Sequence, residues 1–488
     1  MSYMRDSTGR RLDAFKALGA RDLRRAGMPG IGGRPKFSTA APTVGTPITT
    51  SSGTPTTGST ITNPVKVSCE TPGAFTYLGG TPQVSVVGGG AARAYVAGAF
   101  TNSTGSPWAC EFLLDSVNGA FEVIYTGNVA GGINVVVDGV NVSTTRPTFR
   151  AATSDGSTYI APISGLGAGR RHIRLEIERS ATFHGIIVGN TDGVRAVLPP
   201  ALKMAVVGDS FTEPTTVDSN GVWQGGWVQM LGPLLGVDAI SCGSGGTGYL
   251  NPGTGGRVKF RDRLTDYVSL NPDIIVWAGG INDHNNYTAA AIGAEAAACF
   301  AAVKAALPNC LQVVLSPFYP RGNVTFPLTV LPCRDAIKAA ALAAGCQYVE
   351  LLELPPPGAL LPSGTVQAAS IAGATTISSN VSFPAGAYVR IGTGATQEVR
   401  AVASVSGTGP YTLNVQQNGV SLAAAHTVGD PIVQSGPSYV TGTGKQGTPT
   451  GNGTAERYTG SDSTHPTVEG HLNIALAMLP QMQAAITA

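Results

Sequence analysis

The chain has 488 residues, 42% of them hydrophobic and 12% charged, with a formal net charge of +2; that length predicts about two to four domains with real cores. Near-neutrality excludes recognition of nucleic acid or an anionic membrane through net charge. Seven cysteines without a Cys-x-x-Cys pair exclude a disulfide framework and a sequence-spaced zinc site, and no uninterrupted apolar run reaches the roughly 18 residues that span a bilayer.

Residues 1–36 carry nine Lys/Arg against three Asp, with Leu12, Phe15, Leu18 and Leu23 at roughly helical spacing. This reads as a solvated basic tail, with a segment that orders on a partner or a second copy as the alternative. It has no apolar h-region, so no Sec signal peptide is expected. Residues 37–63 are Thr, Pro, Ser and Gly with few large apolar groups, a linker composition that closes the N-terminal segment 1–63. From 64 to 197 short alternating runs (83–87, 121–125, 133–137, 172–177) stand between turn signals, and Asp138-Gly139 separates two valine-rich runs as a hairpin would. That rhythm predicts a β-sandwich of jelly-roll type. Core packing accounts for Tyr95, Trp108 and Phe112 there, with a sugar-stacking face as the alternative.

At about 198 the rhythm becomes alternating strands and helices, which predicts a parallel sheet. Strands are expected at 204–207, 274–277, 312–315 and 348–352, and a short apolar run at 237–240 precedes a glycine-rich loop. Helices are expected around Trp227, over 288–306 and 334–344, and at the C-terminus. Trp223 and Trp227 read as core. Cys310 and Cys346 each precede a strand; both read as buried thiols, with a bridge as the alternative if the strands are neighbours. Between 363 and 438 short strands with Gly-rich turns interrupt the pattern, so 198–362 and 439–488 form one α/β domain carrying a small inserted β-domain. The insert follows a strand near Leu354 and should leave from the carboxyl edge of the sheet.

At that edge the first strand ends in Gly208-Asp209-Ser210. A Gly-Asp-Ser turn also suits a plain turn or helix cap, so the other residues must decide. A serine nucleophile needs a base, a group to orient that base, and donors for the oxyanion. Of six histidines, His172, His184, His426 and His471 fall in strands, the insert or the last helix. His284 has only the adjacent Asp283, whereas His465 has Asp462 three residues before it in a turn. In such a turn the carboxylate reaches Nδ1 and leaves Nε2 for the serine. Ser210 N–H, Gly246 N–H and the Asn282 amide supply candidate oxyanion donors, with Gly243 or Gly245 as alternatives to Gly246. Phe211, Tyr249, Trp277 and Asp283 are candidate substrate contacts.

These blocks resemble the SGNH (GDSL-like) hydrolase family: Gly208-Asp209-Ser210 its first, the Gly246 region its second, Gly280-Ile281-Asn282-Asp283 its third and Asp462-Ser463-Thr464-His465-Pro466 its fifth. Phe211 stands where the family name implies leucine, Ile281 is inserted in the third block, and the second lacks Gly-Asp-Thr. The resemblance covers about 201–362 and 439–488. It implies a flavodoxin-like, three-layer α/β fold and a metal-independent, cofactor-free esterase with Ser210 as nucleophile, His465 as base, Asp462 as orienter, and Gly246 and Asn282 in the oxyanion hole. The accessory parts are similar to those of carbohydrate esterases and of bacteriophage tail proteins. The expected substrate is an acylated polysaccharide losing O-acetyl or other short acyl groups. Virion tail proteins or further copies of the chain (a trimer among the options) are the expected partners, at a virion-associated or extracellular site of action. A lipid or long-chain esterase acting on an envelope glycolipid, with an apolar groove from Phe211, Tyr249 and Trp277, is the first alternative. A non-catalytic virion adhesion protein is the second.

Overall fold

The structure is a computed structural model that describes residues 42–50, 57–80, 82–86, 93–96, 106–126, 131–143, 147–150, 156–178, 180–213, 225–318, 330–351, 362–385, 387–393, 396, 398–415, 421–435, 444–449 and 454–487. The basic tail and Trp223 lie outside these. Two compact units divide near Ala205, with Leu231–Cys242 grouped with the first.

In the first unit, eight strands form one antiparallel sheet and seven form another. Period-two alternation explains how both share a core. Along Gly169–Ile177, Ile173, Leu175 and Ile177 join a buried cluster with Phe121, Val123 and Tyr125 of the other sheet, while the intervening residues are polar. Trp108 and Phe112 have no exposed surface and meet Phe75, Phe121 and Phe183 edge-on. They serve the core rather than a sugar-stacking face; the Tyr95 side chain lies outside the described residues. The hairpin forms at Asp138-Gly139, with both residues in the left-handed region (φ 49 and 83) as a type I′ turn requires. One expectation changes. Thr43–Val44 and Ile48–Thr50 of the supposed linker pair with Thr158–Ser164, and Ser59 and Thr60 hydrogen-bond the buried Glu122 carboxylate. A buried carboxylate must find donors, and these hydroxyls and an N–H supply them.

The strand–helix part of the chain is arranged around a five-stranded sheet. Its strands are β1 (Lys203–Gly208), β2 (Asp238–Gly243), β3 (Ile274–Ala278), β4 (Leu311–Leu315) and β5 (Gln347–Val349), in the order β2-β1-β3-β4-β5. β3–β4 and β4–β5 pair in parallel, as the alternating pattern predicts. The helices are α1 (Trp227–Leu235), α2 (Ala289–Ala306), α3 (Val330–Ala343) and α4 (Val468–Thr487). α2 packs on α3, and α4 on β4 and β5. Right-handed crossovers put α2 and α3 on the same face of the sheet. The order 2-1-3-4-5 reverses between β1 and β3, which opens a crevice beyond the carboxyl ends of those two strands.

By length and composition α2 is apolar enough to cross a membrane, which the uninterrupted-run criterion passed over. Here one face of it packs inward. It buries Ile292, Ala296, Cys299, Phe300 and Val303, and its Glu295 pairs with Lys259 and Arg261 at 3.0 and 2.8 Å. Cys310 and Cys346 are separate free thiols, half-buried and buried respectively.

Residues 363–435 form a four-stranded and a three-stranded antiparallel sheet around their own core, which includes Val366, Ile377, Phe383, Val389 and Leu413.

Candidate active site

β1 is buried along most of its length and stops at Gly208. Beyond it the chain turns within one step: Thr212 and Glu213 N–H both bond Asp209 O, at 3.0 and 2.9 Å. The half-buried Ser210 stands on this turn at the β1/β3 crevice. Arg263, wholly buried, donates to Gly208 O at 2.7 Å and anchors the turn from beneath.

Asp462 and His465 sit on a turn closed by Gly460 N–H on His465 O at 2.7 Å. Ser463 takes a left-handed conformation (φ 68) to bring the two side chains together. The Asp462 carboxylate meets His465 Nδ1 at 2.6 Å and accepts the N–H groups of Thr464 and His465 at 2.9 and 3.0 Å. Partial burial pushes this carboxyl up, but the imidazole and the two N–H groups outweigh it and hold it below its ordinary value. The Phe211 ring, next to Ser210, lies 5.8 Å from the His465 ring, so the histidine turn and the serine turn meet. Lys445 Nζ bonds Ser461 O and Ser463 Oγ at 2.7 and 2.9 Å and braces the histidine turn from outside.

The loop after β2 supplies the third side. Gly243 allows the close approach: a Cβ there would lie 2.3 Å from Glu213 N. Gly245 N–H is taken by the Glu213 carboxylate at 2.6 Å and Gly243 belongs to β2, whereas Gly246 follows in the left-handed region (φ +73). Asn282 donates from Nδ2 to Thr247 O at 2.9 Å, and its amide carries a second hydrogen.

Four sequence-stated contacts need correction. Asp283 has no exposure: its carboxylate accepts Tyr249, Leu250 and Asn251 N–H at 2.8–2.9 Å and clamps the loop. Tyr249 and Trp277 are also fully buried, in a cluster with Phe260 and Phe300. Phe211 is 1% exposed and stacks on Phe318 at 5.4 Å. Large rings fill the core under a sheet edge before they line a groove, because each removes more apolar area from water there.

His471, read as a packed or surface residue of the last helix, is buried, and its Nδ1 accepts Trp227 N–H at 3.3 Å, at the start of α1. Burial pushes its imidazole down to about 3. Arg263, Lys445, Glu213 and Arg257 carry no local sign of their partners. Asp209 was quoted only as part of a motif. It is fully buried; Oδ1 accepts Phe211 N–H at 3.0 Å and Oδ2 has no partner among the described residues. Burial pushes this carboxyl up to about 7, and the Asp283 charge adds to the rise, while Phe211 N–H and Arg263 oppose it. A folded value above the unfolded one means that stability present below about pH 4 is lost as pH rises through about 7. Asp209→Asn should therefore gain stability relative to the wild type between those limits, by on the order of 4 kcal/mol at pH 8. Melting temperatures of both proteins from pH 4 to 8 test this; a difference that does not change with pH refutes it.

This layout is a serine on the turn after the first strand, a histidine oriented by a carboxylate beside that turn, and a glycine loop tied to Asn282. Residues 206–373 match the GDSL-like lipase/acylhydrolase family. The matched span of this acylhydrolase family contains Ser210, Gly246 and Asn282; Asp462 and His465 follow it, beyond the insert. No curated protein matches the chain. Similar solved structures include a family two carbohydrate esterase from Cellvibrio japonicus, 12% identical over 61% of this chain and 90% of that one, with a TM-score of 0.46. An acetyl xylan esterase from the rumen bacterium Butyrivibrio proteoclasticus is 13% identical over 60% and 90%, at 0.44. A salicylyl-acyltransferase from a tetracycline biosynthetic pathway is 15% identical over 61% and 88%, at 0.45.

Proposed function

We propose that the chain is a serine esterase that removes O-acetyl or other short acyl groups from a polysaccharide. The observation that carries this is the Asp462–His465 pair, 2.6 Å apart and set beside the serine turn through Phe211. In this reading Ser210 Oγ attacks the ester carbonyl while His465 Nε2 takes its proton. Asp462 holds the proton of the ring on Nδ1, so that Nε2 is the basic nitrogen, and stabilises the imidazolium that forms. Ser210 N–H, Gly246 N–H and the second Asn282 amide hydrogen receive the developing oxyanion. The tetrahedral intermediate collapses, His465 returns its proton to the leaving sugar hydroxyl, and an acyl-enzyme remains. Water, deprotonated by the same histidine, then releases the carboxylic acid and restores Ser210.

The short acyl group is favoured over a lipid chain by burial. Phe211, Tyr249 and Trp277, the rings that would have lined an apolar groove, are used in the core. The inserted β-domain would supply extended surface for a polymer. We expect turnover of p-nitrophenyl acetate to exceed that of the octanoate ester at least tenfold, and acetate to be released from acetylated xylan or a comparable acetylated glycan. Initial rates across acyl lengths test this. Rates that climb with chain length would sink the short-acyl reading, and no hydrolysis of any ester would sink the enzyme.

A further inference from the structure

Glu213 lies three residues after Ser210, on the same turn, and its carboxylate is 4% exposed. Its Oε2 accepts Gly245 N–H at 2.6 Å. On the other side of the same residue, Arg257 Nη1 donates to Gly245 O at 2.6 Å, and Arg257 Nη2 lies 3.6 Å from Glu213 Oε2. Both polar groups of Gly245 are therefore gripped by one ion pair.

The consequence follows from peptide geometry. Gly245 C=O and Gly246 N–H belong to one planar trans peptide unit, so they point in opposite directions. Holding the oxygen fixes the direction of the N–H. A guanidinium on that oxygen also draws electron density through the amide and makes its N–H a stronger donor. Gly246, with φ +73, has no side chain to hold the plane by other means.

We propose that Glu213 and Arg257 are positioning residues that aim and polarise the Gly246 N–H toward the oxyanion formed at Ser210. This rests on the esterase reading above. The pair couples the turn that carries the nucleophile to the loop that carries the donor, so the two keep their spacing during turnover. Asp283 performs the matching task from the Asn282 side by holding residues 249–251. Arg257 is 30% exposed, so its charge has to act through the short contact to Gly245 rather than at a distance.

The test uses the whole chain with Arg257→Ala, Arg257→Lys and Gly245→Ala. A Cβ at Gly245 would lie 2.8 Å from both Arg257 Nη1 and Glu213 Oε2, the far ends of side chains that can swing away. That substitution opens the grip without removing a charge. Expected are falls in kcat of about 10- to 100-fold on p-nitrophenyl acetate for Arg257→Ala and Gly245→Ala, with KM within about twofold. Arg257→Lys should recover part of the loss. Phenylboronic acid, whose tetrahedral adduct on the serine places an oxygen where the oxyanion forms, should bind more weakly in proportion to the lost kcat/KM. A role confined to stability would lower the melting temperature without this parallel. Variants that keep kcat and boronic acid affinity within twofold, while Ser210→Ala is inactive, would overturn the positioning role and leave the esterase standing. Absence of Ser210-dependent turnover in the wild type would overturn both.

Discussion

Alanine at Ser210 is expected to lower ester turnover by about 10⁴- to 10⁶-fold while the melting temperature stays within a degree or two of the wild type. The hydroxyl is the only protein group in the proposed mechanism that bonds to carbon, and nothing else on the turn replaces it: Asp209 and Thr212 are buried and Phe211 is apolar. The turn itself is held by backbone bonds to Asp209 O and by Arg263 on Gly208 O, none of which uses the serine side chain. His465→Ala should cost about as much, and the double variant scarcely more than either single one, because the two act as one unit. Initial rates on p-nitrophenyl acetate for the three variants, with melting curves, decide the matter. Losses that multiply in the double variant would show that serine and histidine act independently.

Replacing Asp462 by alanine is expected to reduce kcat by about 10²- to 10⁴-fold. Without the carboxylate 2.6 Å from Nδ1, the ring is free to take the other tautomer, and the imidazolium formed during attack loses its countercharge. The side chain of Asp462 is 38% exposed, so water replaces part of the interaction and the loss should stay below that of Ser210→Ala. The turn should survive, since Lys445 and the Gly460 N–H hold it without Asp462. The falling parameter should therefore be kcat, with KM nearly constant. A decrease of less than tenfold would show that His465 is oriented by something else.

How much of this could be read beforehand depends on distance along the chain. The Asp462–His465 pair was legible because a spacing of three in a turn brings two side chains together whatever surrounds them. The serine turn was legible because an apolar run that ends in Gly-Asp-Ser has few other ways to stop. The choice among Gly243, Gly245 and Gly246 was not, since it depends on Glu213 and Arg257 reaching one peptide group from either side. Nor could burial of Tyr249, Trp277 and Asp283 be foreseen from residues that look suited to a groove. The Thr-rich stretch before residue 63 has the composition of a linker, yet the buried Glu122 carboxylate and an open sheet edge recruit it.

By itself, then, the sequence determined the order of strands and helices, the insert that interrupts them, and the serine and the Asp-x-x-His turn, because these follow from local periodicity and short spacing. Only the tertiary structure decided the 2-1-3-4-5 strand order that brings β1 and β3 side by side, the meeting of the Phe211 and His465 rings across the insert, and which polar groups are spent on the scaffold. Those are properties of non-local contacts. A carboxylate becomes a clamp or stays available for a ligand according to which N–H groups the fold places around it, and the chain that supplies them can lie anywhere in the sequence.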